Sequence, residues 1–257
     1  MVLADIRDVT ALESVFERHR PEVVFHAAAL KHLPMLEQYP EEGWKTNVVG
    51  TLNVLKAADA NGCLKFVNIS TDKAADPTSV LGQTKQLAEQ LTAWYAGRSL
   101  GTYLSVRFGN VLGSRGSMLH TFTTQIEAGG PVTVTHPEVT RFIMTIPEAC
   151  ELTIQAAAIG EPGEVLVLDM GEPVRILDVA KRLIAQSEAN VEIIFTGLRK
   201  GEKLHETPFG ADERGQFKRH PLICHVPVQP VSPLEVVGTA RVDQVVRRLR
   251  AVQPVAG

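Results

Sequence analysis

The chain has 257 residues, 44% of them hydrophobic and 21% charged, which is the balance of an ordinary globular protein and excludes intrinsic disorder, a collagen or a coiled coil as the main character of the chain. Its formal net charge is -3, too slightly acidic for a general nucleic-acid or membrane-surface binder. Three widely separated cysteines, Cys63, Cys150 and Cys224, form no C-x-x-C pair, which speaks against a disulfide framework and a zinc site and fits a reducing cytoplasm.

No signal-peptide pattern follows Met1, and no apolar run approaches the ~20 residues that span a bilayer. Helix periodicity first covers Val9–His19. After Arg20-Pro21 comes a short apolar run, Glu22 to Ala29, which reads as a strand. A long helical stretch, Glu41–Ala60, is stopped by Asn61-Gly62, where glycine adopts the left-handed conformation past a helix end. Lys65–Ser70 and Tyr103–Phe108 are two further strands, with a helix over Thr78–Ala96 between them. Strands of this kind, apolar on both faces, belong to a parallel sheet. The alternation predicts βαβ units and a doubly wound α/β fold.

Past residue 130 the texture changes. Thr145-Ile-Pro-Glu predicts a capping box with an early proline, opening a helix to Ile159. Arg175–Glu188 reads as another helix, Phe209–Pro233 as irregular chain and Pro233–Val252 as a last helix. We expect a dinucleotide-type domain over 1–130 and a mainly substrate-binding lobe over 131–257, with some elements returning to the sheet.

Three segments offer chemistry. Gly109-Asn-Val-Leu-Gly-Ser-Arg-Gly, before a helix from about Met118, is either a tight structural loop or an anion site. Ser70-Thr-Asp-Lys73 leaves a strand end, where open α/β sheets bind ligands. It offers a hydroxyl, an acid and a base, or else a solvated turn in which Ser70 or Asp72 caps a helix. Leu81 and Lys85 share one helix face, which alone means a core leucine and a surface lysine. His26 reads as a packed core residue, and Trp44 and Trp94 as core or interface.

Taken in order, Ala27-Ala-Ala-Leu-Lys-His-Leu-Pro, Asn47-Val-Val-Gly-Thr, Ser70-Thr-Asp-Lys-Ala, Arg107-Phe-Gly-Asn-Val-Leu-Gly-Ser-Arg-Gly-Ser and Arg199-Lys-Gly-Glu-Lys-Leu-His-Glu resemble one family. It is the polysaccharide-biosynthesis nucleotide-sugar 4,6-dehydratases of the extended short-chain dehydrogenase/reductase superfamily, and the likeness runs from Met1 to about residue 208. The resemblance implies a Rossmann-like sheet, NAD or NADP as cofactor and a UDP-N-acetylhexosamine substrate. Hydride leaves sugar C4, water is eliminated across C5 and C6, and hydride returns to C6. It also implies that Thr71 contacts the sugar, Asp72 assists loss of the C6 hydroxyl and Lys73 is the base at C5. Lys85 would hold the nicotinamide ribose, with Asp5 and Ile6 beside the adenine. Ala27, Ala28, Ala29, Lys31 and Ser70 would run along the cofactor, with Asn47 in support. His32, Asn110, Arg115, Arg141, Arg199 and Glu202 would face the sugar nucleotide, arginine's planar fork suiting a diphosphate. A homo-oligomer is implied by the same likeness; no metal is expected, because no His, Cys and Asp spacing resembles a zinc or iron site.

The sequence departs from the pattern twice. Leu81 stands where the superfamily has a tyrosine, so transfer of the O4 proton falls to Thr71 or a water. The chain also begins near the end of the family's third strand, without the glycine-rich turn and without the membrane-spanning region that many relatives carry. A C4 or C5 epimerase, and a non-catalytic sugar-nucleotide-binding module or fragment, are the alternatives.

Overall fold

The protein is described by a computed structural model covering residues 1–114, 117–187, 189–213 and 217–238. Its centre is a six-stranded sheet. In chain order the strands are β1 (Val23–His26), β2 (Lys65–Thr71), β3 (Thr102–Phe108), β4 (Glu164–Leu168), β5 (Phe217–His220) and β6 (Ile223–Pro227). Their spatial order is β1-β2-β3-β4-β6-β5. The first four are parallel, whereas β6 and then β5 join antiparallel.

The helices are α1 (Val9–His19), α2 (Leu33–Gln38), α3 (Pro40–Gly43), α4 (Thr51–Ala60), α5 (Val80–Ala96), α6 (Met118–Glu127), α7 (Ile146–Ile159) and α8 (Ile176–Ser187). Leu12 and Phe16 of α1, Leu52 and Leu55 of α4 and Leu91 of α5 pack on Phe66 and Tyr103, on one sheet face. Leu152 and Ala156 of α7 pack on Val67, Leu104 and Leu166, on the other. Alternation of side chains along a strand puts Phe66 and Val67 on opposite faces, so the two cores follow from the pleat. A third core joins α6 and α8 to a parallel pair, Val132–Val134 with Ile193–Phe195.

Local chemistry sets several boundaries as the sequence predicts. Thr145 with Glu148 forms the capping box of α7. Gly62 takes φ +68° after α4. Other expectations need correction. The stretch expected as one helix over Glu41–Ala60 is α3 and α4 joined by a π-helical segment, Trp44–Gly50, and the short helix α2 is additional. The expected irregular segment Phe209–Pro233 contains β5 and β6. His225 and Pro227 disguise β6 as loop sequence, yet His225 is fully buried, its Nδ1 2.8 Å from Glu164 Oε2. Of the expected last helix, Leu234–Gly238 forms a π-helical turn and the rest lies outside the described residues. Among the described residues no helix is long and apolar enough to cross a membrane.

Candidate functional site

The row of β2 and β3 side chains facing α5 begins apolar, with Phe66 and Tyr103, and turns polar towards the carboxyl ends, with Asn68, Ser70, Ser105 and Arg107 all buried. A cavity of about 450 Å³ opens just past these ends. Ala27, Ala29, Lys31, His32, Ser70, Thr71, Lys73, Lys85, Asn110 and Arg199 line it, so ten of the sequence-predicted residues meet at one place.

Thr71 closes β2 and its side chain caps the short 3₁₀ turn Asp72–Ala74 by accepting from Lys73 N. The cap is therefore Thr71, with Ser79 capping α5, and neither Ser70 nor Asp72 has that role. Nor is the turn solvated, because Asp72 is fully buried. Its Oδ1 accepts from Thr71 Oγ1 at 3.0 Å and from Lys73 Nζ at 2.9 Å. Lys73 Nζ also reaches Asn110 Oδ1 at 3.4 Å. Glu206 Oε1 lies 3.8 Å from the same Nζ. Glu206 is the last residue of the Arg199–Glu206 motif. Sequence reasoning assigned it nothing, although its place in that motif was a usable signal.

Lys85 is not a surface lysine. It is buried, its Nζ donates to Ile69 O, and burial lowers its pKa to about 8. Leu81, one turn earlier, lines the cavity and packs with Leu36 and Val80. Asn47 projects from the π-helical segment. Its Oδ1 accepts from Leu30 N at 2.8 Å, and its Nδ2 donates to Leu30 O at 2.9 Å and Thr84 Oγ1 at 3.1 Å. Asn47 thus pins the loop after β1 to α5 and shapes the cavity from behind. Extra residues in π turns often mark functional positions.

The remaining expected residues among those described sit outside the lining. Arg141 is buried, and its ion pair with Glu202 has a 2.8 Å contact. Asp5 is exposed and bound to Arg7, while Asn53 Nδ2 donates to Ile6 O at 3.1 Å. Ala28 is exposed and is not among the lining residues. Arg115 lies outside the described residues. His26 is a core residue as expected, with its ring Nε2 2.9 Å from Thr51 Oγ1 and burial lowering its pKa to about 3.

Two glycines allow the close approaches. A Cβ on Gly109 would lie 2.9 Å from Asp72 Oδ2 and from Phe142 O. A Cβ on Gly82, in the first turn of α5, would lie 2.2 Å from Lys73 O and 2.9 Å from Pro77 Cβ. Backbone cannot yield as a side chain can, so Gly82→Ala should push α5 off the Asp72–Ala74 turn. The expected cost is about 1–3 kcal/mol, read as a lower midpoint in chemical denaturation. An unchanged midpoint would show that the turn slides freely.

The Oγ atoms of Ser70 and Ser117 are buried beside the cavity with no hydrogen-bond partner among the described residues. Buried hydroxyls normally have partners. A ligand bearing amides and hydroxyls, such as a nicotinamide riboside or a sugar, fits them.

A family described as "Polysaccharide biosynthesis protein" matches residues 1–228. The probable polysaccharide biosynthesis protein EpsC of Bacillus subtilis is 50% identical over 214 residues, covering 82% of this chain and 36% of that protein. A UDP-glucose 4-epimerase of Rickettsia rickettsii is 40% identical over 215 residues, covering 82% of this chain and 62% of that one. The chain therefore spans less than two thirds of the length of these relatives. Among solved structures, Pen from Bacillus thuringiensis superposes with a TM-score of 0.83 at 38% identity, covering 91% of this chain and 73% of that chain.

Proposed function

The chain belongs to the polysaccharide biosynthesis family of nucleotide-sugar dehydratases and epimerases, within the extended short-chain dehydrogenase/reductase superfamily, and on that premise we propose that it is a UDP-N-acetylhexosamine 4,6-dehydratase. The observation that carries the reading is the adjacent acid and base, Asp72 and Lys73, joined at 2.9 Å at the end of β2. Elimination across C5–C6 needs a proton taken from C5 and another given to the departing O6. Two groups of opposite sense on one short turn supply both.

Lys73 reaches into the cavity and takes the C5 proton. Asp72, behind it, gives its proton to O6. Asn110, bonded to Lys73 Nζ, fixes the direction of the amine. NAD or NADP bound along Ala27–Ala29, Lys31 and Ser70 would supply hydride chemistry at C4 and C6, with Lys85 and the free Ser70 hydroxyl as its polar contacts. Leu81 moves no proton. Thr71 Oγ1 passes the O4 proton on to water, and its hydrogen bond to Asp72 Oδ1 holds in place the acid, whose own proton comes from the Lys73 ammonium. Residues 1–130 then serve mainly the cofactor and 131–257 mainly the UDP-sugar, with Arg199 at the cavity and His32 at its rim. Cytoplasmic placement and self-association belong to the same reading.

A C4 epimerase is the second reading, favoured by the 40% identity to a UDP-glucose 4-epimerase. The test is mass spectrometry of UDP-N-acetylglucosamine incubated with the protein and NAD or NADP. A product lighter by one water supports the dehydratase. A product of unchanged mass but altered chromatographic mobility identifies an epimerase. Binding of the UDP-sugar without any product, at both cofactors, defeats both.

A further inference from the structure

Glu206 lies in an unusual setting. Its side chain is 3% exposed, yet neither neighbouring ammonium makes a close contact with it. Lys73 Nζ is 3.8 Å from Oε1 and Lys203 Nζ is 3.8 Å from Oε2. Asp72, beside it, holds the same Lys73 ammonium at 2.9 Å. Glu206 Oε2 is buried with no hydrogen-bond partner. An ionised buried carboxylate with one oxygen left unbonded is expensive, whereas a neutral carboxylic acid is tolerated. Four charged groups face it: Asp72 and Lys73 from the turn after β2, Arg141 from the short strand Thr140–Arg141, and Lys203 from its own loop. Burial and Asp72 push its pKa up, Lys73, Arg141 and Lys203 pull it down, and the upward push prevails.

We propose that Glu206 is a positioning residue that acts through Lys73, its protonated form leaving Lys73 free to become an amine and its ionised form locking Lys73 as an ammonium. This deepens, and rests on, the acid–base roles proposed above for Asp72 and Lys73. With Glu206 neutral, Lys73 has one anionic neighbour, Asp72. Passing the ammonium proton from Nζ to Oδ1 across 2.9 Å yields an amine and a carboxylic acid, the pair elimination requires. With Glu206 ionised, a second anion holds the proton on Nζ and the base is lost. The sign follows from the raised pKa. The active charge state persists below the shifted Glu206 pKa and fades as pH rises through it.

Two measurements test this separately. The first needs no turnover: carbon-13 NMR titration of glutamate carboxyls in the full chain, with Glu206 assigned by Glu206→Gln. We expect the Glu206 resonance to titrate above the ordinary glutamate range, because burial disfavours its charged form. We also expect the Lys73 side-chain resonance, assigned by Lys73→Arg, to sense the same midpoint. Titration of Glu206 at or below the ordinary value overturns the proposal. The second is the pH profile of kcat/KM. Glu206→Gln, neutral at every pH, should move the alkaline limb upward, whereas Glu206→Ala, which only empties the space, should lower the whole profile. An alkaline limb unmoved in Glu206→Gln also overturns it. If the carboxyl titrates high but no sugar product forms with any variant, the charge coupling stands and the dehydratase reading falls.

Discussion

Lys73→Ala should lower formation of the dehydrated sugar nucleotide by about 10²–10⁴-fold, the usual contribution of a positioned general base. That corresponds to roughly 3–5 kcal/mol of transition-state stabilisation. The side chain is 17% exposed, so its loss opens little core, and the thermal midpoint should fall far less than the rate. Charge and basicity can be separated, because Lys73→Arg keeps a cation beside Asp72 but provides no group that deprotonates in a protein. We expect Lys73→Arg to fold as the parent does and to be as inactive as the alanine variant. Product mass, followed at saturating UDP-N-acetylglucosamine and cofactor, is the measurement. Arginine restoring a substantial rate would mean that the cation, and not the base, matters here.

Arg107→Met should destabilise the fold by about 3–5 kcal/mol, the usual cost of removing one partner of a buried charge group. Arg107 is 1% exposed. Its Nε and NH2 donate to the two oxygens of Glu89, at 3.1 and 2.7 Å. NH1 and NH2 donate to those of Glu213, both at 2.8 Å, and NH1 reaches Pro208 O at 3.1 Å. The methionine would leave Glu89, buried on α5 one turn after Lys85, without its cation. Replacing Glu89 by leucine in the same chain should recover part of the loss, since an apolar pair of similar volume often substitutes well for a buried ion pair. The denaturant midpoints of single and double variants decide this. Equal midpoints for parent and Arg107→Met would mean that water enters and solvates Glu89.

What the sequence made readable was local. Val9–His19 shows its helix by periodicity alone, and Thr145 with Glu148 writes its capping box in four residues. β2 and β3 are short apolar runs between turn signals, and ligand binding past strand ends brings Thr71 and Lys73 to a cavity without further information. What stayed hidden depends on partners distant in the chain. β6 holds a histidine that is tolerable in a sheet only because Glu164 meets it. Lys85 looks like a surface residue until Ile69 O accepts its ammonium. The π-helical segment leaves Asn47 in register with Leu30 and Thr84 through a bonding pattern that no residue periodicity announces. Arg141 and Glu202, read as substrate contacts, face each other, and only the fold brings them within 2.8 Å.

The clamp around Arg107 also has a bearing on how the molecule comes into being. Glu213 follows Arg107 by 106 positions, and Lys203, which donates to Ala75 O, follows it by 128. Chains emerge from the ribosome amino end first, and contacts closed over long intervals form slowly. The turn bearing Asp72 and Lys73 is therefore synthesised long before the segment that covers it. Until that segment arrives, Arg107 has Glu89 alone, and Asp72 and Lys73 lack their cover. The loop from Glu202 to Glu213 is thus the last of these segments to be made, and its docking places Glu206 against Lys73 and Glu213 against Arg107.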